Sequence, residues 1–302
     1  MWCSPSLKYA ASTKLFGRSN KKGCLRTFAI VQSFLMRMLS KEGFYFQKSE
    51  RLLSKPPTHR ENYHIVSGEV TFIISILSKK QLTLVCNFLE ALGAKNTYTQ
   101  KHSCHVSRVV EAILQRLPAP TRQLLQKRKL LIAALLHDIG KLNVPLEILD
   151  KAQNLTEEEW RIMHDHPRDG KVLLQGTGLE DIGDWILFHH ERMDGRGYYK
   201  LEGKKIPIES RIIAIADTFS ALRTHRVYRP AVSLEKTIAI LKEMADTQLD
   251  GKILSCFLSI DTSVLEKLNC DYPPDILLKK YLRDFSANVL PSSLEITKDS
   301  PS

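Results

Sequence analysis

Apolar positions along this chain recur at helical rather than strand spacing. Leu82, Val85, Phe88, Leu89 and Leu92 fall three and four residues apart, which places them on one face of an α-helix, and Gly93 offers a stop. A second stripe runs through Val106, Val109, Val110, Ile113, Leu114 and Leu117 and ends at Pro118 and Pro120, with His102 one turn upstream. The segment 124–137 begins basic and turns wholly apolar from Leu130 to Leu136, which predicts a buried helix ending at His137. Beyond Pro145, Thr156 reads as an N-cap with Glu157, Glu158 and Glu159 in the first turn, where the helix dipole favours acids. His164 and His166 are expected to close that helix before Pro167. Further helices are expected over 182–190, 206–222, 234–244 and 253–258, with a glycine-rich loop over 194–203. Strand signals are few, so the expected class is mainly α.

Composition divides the chain. Residues 1–65 are irregular, with a breaker at Lys55-Pro56-Pro57 and one possible amphipathic helix over 28–39. A globular domain is expected over 66–260, and a C-terminal extension over 261–302, disordered from about Pro291. The net charge of +11 is unevenly placed: residues 1–60 hold 12 Lys+Arg against 2 Asp+Glu, leaving 32 against 31 in the rest. A basic arm of this kind can meet acidic surfaces, whereas the near-neutral remainder gives no reason to expect a nucleic-acid-binding body. No apolar run has the length of a membrane-spanning helix, and no secretory hydrophobic region precedes a small-residue cleavage site. The expectation is a soluble, unprocessed, cytoplasmic chain. Its 6 cysteines lack CxxC pairing, which argues against a zinc ribbon or a disulfide framework.

Candidate chemistry lies in seven residues met in order: His102, His137, Asp138, His166, His189, His190 and Asp217. Imidazole and carboxylate together suit iron, manganese, zinc or nickel, and seven candidates exceed what one tetrahedral ion needs. Two ions sharing a carboxylate fit better. Asp217 follows an apolar run, where an unpaired charge is costly to bury unless a cation stands nearby. Lys141, one turn past Asp138, brings a cation to where a phosphate would lie.

Four segments together resemble a known family. They are His137-Asp138-Ile139-Gly140-Lys141, His166-Pro167 with Gly170, His189-His190-Glu191-Arg192 running on to Asp194-Gly195 and Gly197-Tyr198, and 211–229 with Asp217, Phe219, Arg226, Tyr228 and Arg229. In this order they resemble the HD-GYP subgroup of the HD phosphohydrolase superfamily, over about 98–257. The resemblance implies an all-α helical bundle and a two- or three-ion centre of iron or manganese. It implies hydrolysis of cyclic di-GMP to pGpG or GMP by a metal-bridging hydroxide, the alternatives being an HD phosphohydrolase acting on another nucleotide or cyclic dinucleotide, or a catalytically weak cyclic di-GMP receptor or scaffold. Carried over, His102, His137 and Asp217 hold one ion, His166, His189 and His190 the other, and Asp138 bridges. Lys141 steadies the nucleophile or phosphate, while Arg226, Arg229, Tyr198 and Gly195 meet the substrate. A diguanylate cyclase-type protein is the implied partner.

Three departures stand out. Tyr199 replaces the proline of the motif, which frees φ and adds an amide donor. His105-Val106-Ser107-Arg108-Val109 also resembles the segment bearing the family's first histidine, so His105 competes with His102. Tyr98 stands where some members place an extra glutamate ligand, which favours two ions over three. Glu191 and Asp194 are expected to orient imidazoles, and His59, His64, His164 and His225 to be structural or surface groups.

Overall fold

A computed structural model describes residues 78–224, 230–268, 276–277 and 280–281. All of them belong to 71–302, one of the two units into which the chain divides. The expectations for 1–65, including the helix at 28–39, and for the tail from 291 lie outside the described residues, as do Arg226, Tyr228, Arg229, His59, His64 and His225.

Helix α1, Lys79–Lys95, opens on a reciprocal cap: Ser78 Oγ accepts the Gln81 N–H and Gln81 Oε1 accepts the Ser78 N–H. It runs through Gly93 rather than stopping there. Asn96 ends it and, accepting the Thr99 N–H at 2.8 Å, starts α2, Thr97–Arg116. Helix α3, Ala119–Leu124, is a separate short element. The single helix expected over 124–137 is broken because Leu125 takes an extended backbone and is buried while Leu124 stays 85% exposed. Helix α4, Lys127–Leu136, then carries the apolar run, every residue from Leu130 to Leu136 buried.

A tight turn at Ile139–Asn143 leads to α5, Leu146–Leu149, and α6, Glu157–His164, which has the expected Thr156 cap, completed by Glu159. His166 does not close α6. Asp165 separates the two, and His166 opens α7, His166–Leu173, with Pro167 in the first turn, where a missing N–H costs no helical bond. Helix α8, Gly183–Leu187, is shorter than expected. Helices α9, Ile208–Arg223, α10, Leu234–Glu243, α11, Gly251–Leu258, and α12, Thr262–Lys267, complete the described order. The architecture is all-α, and the described residues contain no strand.

Helix α2 is the axis of the core, with α1, α4, α9 and α11 packed around it. Phe88, Ile113, Leu131, Leu135, Phe219 and Phe257 are each no more than 2% exposed there. Packing continues past residue 260: Leu265, Leu277 and Tyr281 are buried, and Tyr281 Oη lies 3.0 Å from Ser107 Oγ of α2. On the other side the turn after α4 presses on α7 so closely that a Cβ on Gly140 would sit 1.9 Å from the His166 carbonyl oxygen. This contact brings the His137-Asp138 pair against His166.

Candidate metal centre

Three of the histidines share one local construction. His137 directly follows α4, His166 stands two residues past the end of α6, and His189 two past α8. The last carbonyls of a helix have no intrahelical partner. Each histidine donates its Nδ1–H to one of them: His137 to Ala134 O at 2.8 Å, His166 to Met163 O at 2.7 Å, His189 to Ile186 O at 2.6 Å. The bond satisfies the carbonyl, orients the ring, and leaves Nε2 as a bare lone pair aimed away from the helix. All three Nε2 atoms are buried without a hydrogen-bond partner.

With His189 grouped within 4.8 Å, the His137 and His166 nitrogens converge on Asp138, which is 1% exposed. One of its oxygens, Oδ1, faces His166 Nε2 at 3.2 Å; the other, Oδ2, faces His137 Nε2 at 3.4 Å and His102 Nε2 at 3.9 Å. A lone pair turned toward a carboxylate oxygen at such range calls for a cation between them. Asp217 Oδ1 lies 2.9 Å from His102 Nε2 and 3.9 Å from His137 Nε2. The ligand atoms therefore fall into overlapping groups, His102–His137–Asp217, His137–Asp138–His189 and His166–His189–His190, each within 4.8 Å. Two clusters joined through one carboxylate form a donor set suited to two divalent transition ions. Lys141 adds an ammonium 2.6 Å from Asp138 Oδ2.

The electrostatics keep His102, His189, His190 and both carboxyls deprotonated. Burial, with neighbouring imidazoles, pushes His189 well below the usual histidine range and His190 down to about 3. Burial also lowers His102, against the opposing pull of Asp217. Burial alone would push Asp138 up, but Lys141 and His137 outweigh it and hold the carboxyl well below its usual range. Asp217 is depressed likewise, its desolvation overcome by His102 and His137. His137 moves the other way: burial lowers it, yet Asp138 and Asp217 leave it raised.

His105 is not in this cluster. Its ring sits behind His102, bonded to Ser220 Oγ and to the Leu268 carbonyl. Tyr198 stacks on His164 at 3.7 Å between centroids and lies 4.8 Å from His190, with Trp160 packed edge-on against both Tyr198 and His164. His164 thus lines the site, a role that only its position two residues before His166 could have suggested. Gly195 turns the following loop with φ +72.

Glu191 and Asp194 do not orient imidazoles. Glu191 is buried and accepts the Tyr199 and Leu201 amides, both at 2.6 Å, so it clamps the loop, and the donor gained where proline is lost is one of the two it uses. Asp194 forms a forked pair with Arg192 at 3.0 and 2.6 Å.

Comparison with known proteins gives consistent findings. The family model described as HD domain matches residues 88–253. The chain is similar to the 3'3'-cGAMP-specific phosphodiesterase 3 of Vibrio cholerae serotype O1, 35% identical over 179 residues, covering 59% of this chain and 38% of that one. It is also similar to a cyclic di-GMP phosphodiesterase of the same organism, 38% identical over 138 residues, covering 43% and 28%. To the cyclic di-GMP phosphodiesterase response regulator RpfG of Xanthomonas campestris it is 40% identical over 131 residues, covering 42% and 35%. The chain therefore spans about a third of the length of these relatives.

Proposed function

The chain belongs to the HD domain family, and from that premise we propose that it is a metal-dependent phosphodiesterase that opens a cyclic dinucleotide, in the first place cyclic di-GMP, to pGpG or GMP. The observation that carries this reading is the convergence of two buried, unpartnered Nε2 atoms, those of His137 and His166, on the Asp138 carboxylate, with the His189 ring grouped there within 4.8 Å. The printed activities of the similar proteins support the substrate class. A second substrate, 3'3'-cGAMP, is favoured by two relatives that bear that name at 35% and 37% identity.

In this reading His102, His137 and Asp217 hold one ion, His166, His189 and His190 the other, with Asp138 shared; iron or manganese suits the donors. Bound there, the ions supply Lewis-acid polarisation of the phosphodiester and a water acidic enough to ionise near neutral pH. The chain does the rest. Helix-end carbonyls fix the imidazoles beforehand, so no ring must reorient during the reaction. Lys141 places a positive charge beside Asp138, where it meets the charge of the phosphate. Tyr198, His164 and Trp160 form an aromatic wall next to His190 for a base or sugar. Arg226 and Arg229 receive substrate phosphate, Gly195 shapes the loop that carries Tyr198, and a diguanylate cyclase-type protein is the natural source of the substrate.

The test is anaerobic purification with metal analysis, then incubation with cyclic di-GMP or 3'3'-cGAMP and chromatography of the products. Two iron or manganese ions per chain and a linear dinucleotide or mononucleotide product are expected. Asp138→Ala should lose metal and turnover together. Turnover persisting in that variant would sink the assignment of the site.

A further inference from the structure

His105 lies one turn beyond His102 on α2, and its ring is 1% exposed, tilted against Phe219. Its Nε2 stands 2.5 Å from the Leu268 carbonyl oxygen, and its Nδ1 stands 2.9 Å from Ser220 Oγ. The same hydroxyl is 2.9 Å from His102 Nδ1. One fully buried hydroxyl thus joins two imidazoles, with a backbone carbonyl at the far end.

The direction of this chain of bonds follows from its end. A carbonyl oxygen only accepts, so His105 Nε2 carries a hydrogen. Burial pushes the ring down to about 3, with Arg108 and Arg223 adding to the effect, so it carries no second hydrogen. Nδ1 is then a lone pair, and Ser220 donates its hydroxyl hydrogen to it. The Ser220 oxygen is left to accept from His102, which places hydrogen on His102 Nδ1, so that with the ring neutral the 2.9 Å approach of Nε2 to the Asp217 carboxylate is one for a cation to bridge rather than a proton. That Nε2 is the atom grouped with His137 and Asp217.

The arrangement answers a local need. His137, His166 and His189 are oriented by free carbonyls at helix ends, but His102 lies inside α2, where the nearby carbonyls are engaged by the helix itself. Its partner must come from elsewhere, and α9 provides it: Asp217 and Ser220 are three residues apart and so share a face.

Resting on the metal-site reading above, we propose that His105 and Ser220 are positioning residues that, working from the Leu268 carbonyl, fix the tautomer of His102 and present its Nε2 to a divalent cation. Leu268 lies beyond the 88–253 match, so chain outside the matched region takes part in setting a ligand.

The experiment is titration of chelator-treated protein with Mn²⁺ against a competing chelator, with circular dichroism to check the fold. Ser220→Ala and His105→Phe should each weaken one class of Mn²⁺ site by about 10- to 100-fold and leave the other unchanged. Combining them should cost no more than the worse single change. His105→Asn, which keeps an acceptor near the Nδ1 position, should recover much of the loss. Wild-type uptake with unaltered affinity in both variants overturns the relay alone; a wild-type chain that takes up no Mn²⁺ overturns the metal reading and the relay together. Should the variants misfold, ¹⁵N spectra of the histidine rings in the unaltered chelated chain decide. The neutral Nε2–H form of His105 is expected, and the Nδ1–H form overturns the proposal.

Discussion

Lys141 and Asp138 occupy adjacent roles that substitution can separate. Asp138 faces three imidazoles, whereas Lys141 touches only the carboxylate and keeps 22% of its side chain exposed. Lys141→Ala should therefore retain metal while lowering kcat by about 10²-fold, the scale of losing one preorganised charged donor. Parallel metal analysis and steady-state kinetics check this. Titration adds a second residue-scale expectation. An unfolded histidine titrates near 6.5, and the folded state lowers His102, His105, His164, His189 and His190 while raising only His137. Below pH 6.5 the unfolded chain takes up protons that these lowered groups refuse, down to about 3 for His105 and His190. The stability that these lowered groups contribute to the chelated chain is therefore fully present above pH 6.5 and falls with acidification, by about 1.4 kcal/mol per pH unit for each net proton. His137, being raised, is protonated in both states below pH 6.5 and drops out of this window; its own contribution is lost as pH rises above 6.5 through its folded value. Urea midpoints between pH 7.5 and 4.5 measure the slope; a flat profile would mean that these rings are not held neutral.

Among the elements, the long amphipathic helices could be read from periodicity, and the candidate donor set, which the fold groups within 4.8 Å, from its chemistry and order. The short-range breaks could not. Nothing in the composition of 124–137 shows that Leu125 turns inward, because that choice is made by packing rather than by propensity. The split between α6 and α7 is written more openly, in Pro167, but whether a proline ends a helix or occupies the first turn of the next depends on tertiary contact. Glu191 was misread because a carboxylate beside histidines suggests orientation of a ring, whereas its actual partners are amides eight and ten residues onward. Two changes test these contacts. Tyr199→Pro removes an amide bonded to a buried carboxylate, so a loss of about 1–3 kcal/mol and faster proteolysis of the 194–203 loop are expected. Gly140→Ala places a methyl against a backbone oxygen that cannot yield without moving α7. A loss of about 3 kcal/mol is expected, at the upper end of overpacking costs, together with weakened metal binding, readable by thermal melts with and without Mn²⁺.

At the scale of the whole molecule, the packed body is larger than its family-matched segment. Leu265, Leu277 and Tyr281 are buried beyond residue 260, and Lys280 pairs with Glu111 at 2.8 Å. Burial of each large side chain contributes about 1.5–3 kcal/mol before ordering costs. A chain ending at residue 260 should melt about 10 °C lower, taking 2–4 °C per kcal/mol as the scale. An unchanged melting point would show that the segment adds nothing to the body. The basic arm carries most of the net charge, so its removal should bring the isoelectric point toward neutrality.

The histidines that satisfy helix-end carbonyls have a further consequence. Helix termini are where native chains open most often, so His137, His166 and His189 are tied to the backbone that frays first. Ions gripping these rings would act as rivets through three helix ends at once. The amide protons around Ala134, Met163 and Ile186 should then exchange with deuterium quickly in chelator and slowly with metal bound, while mid-helix amides of α2 change little. Binding at the centre would in this way set the opening rate of the surrounding helices, and loss of metal would begin to unzip the fold from the inside.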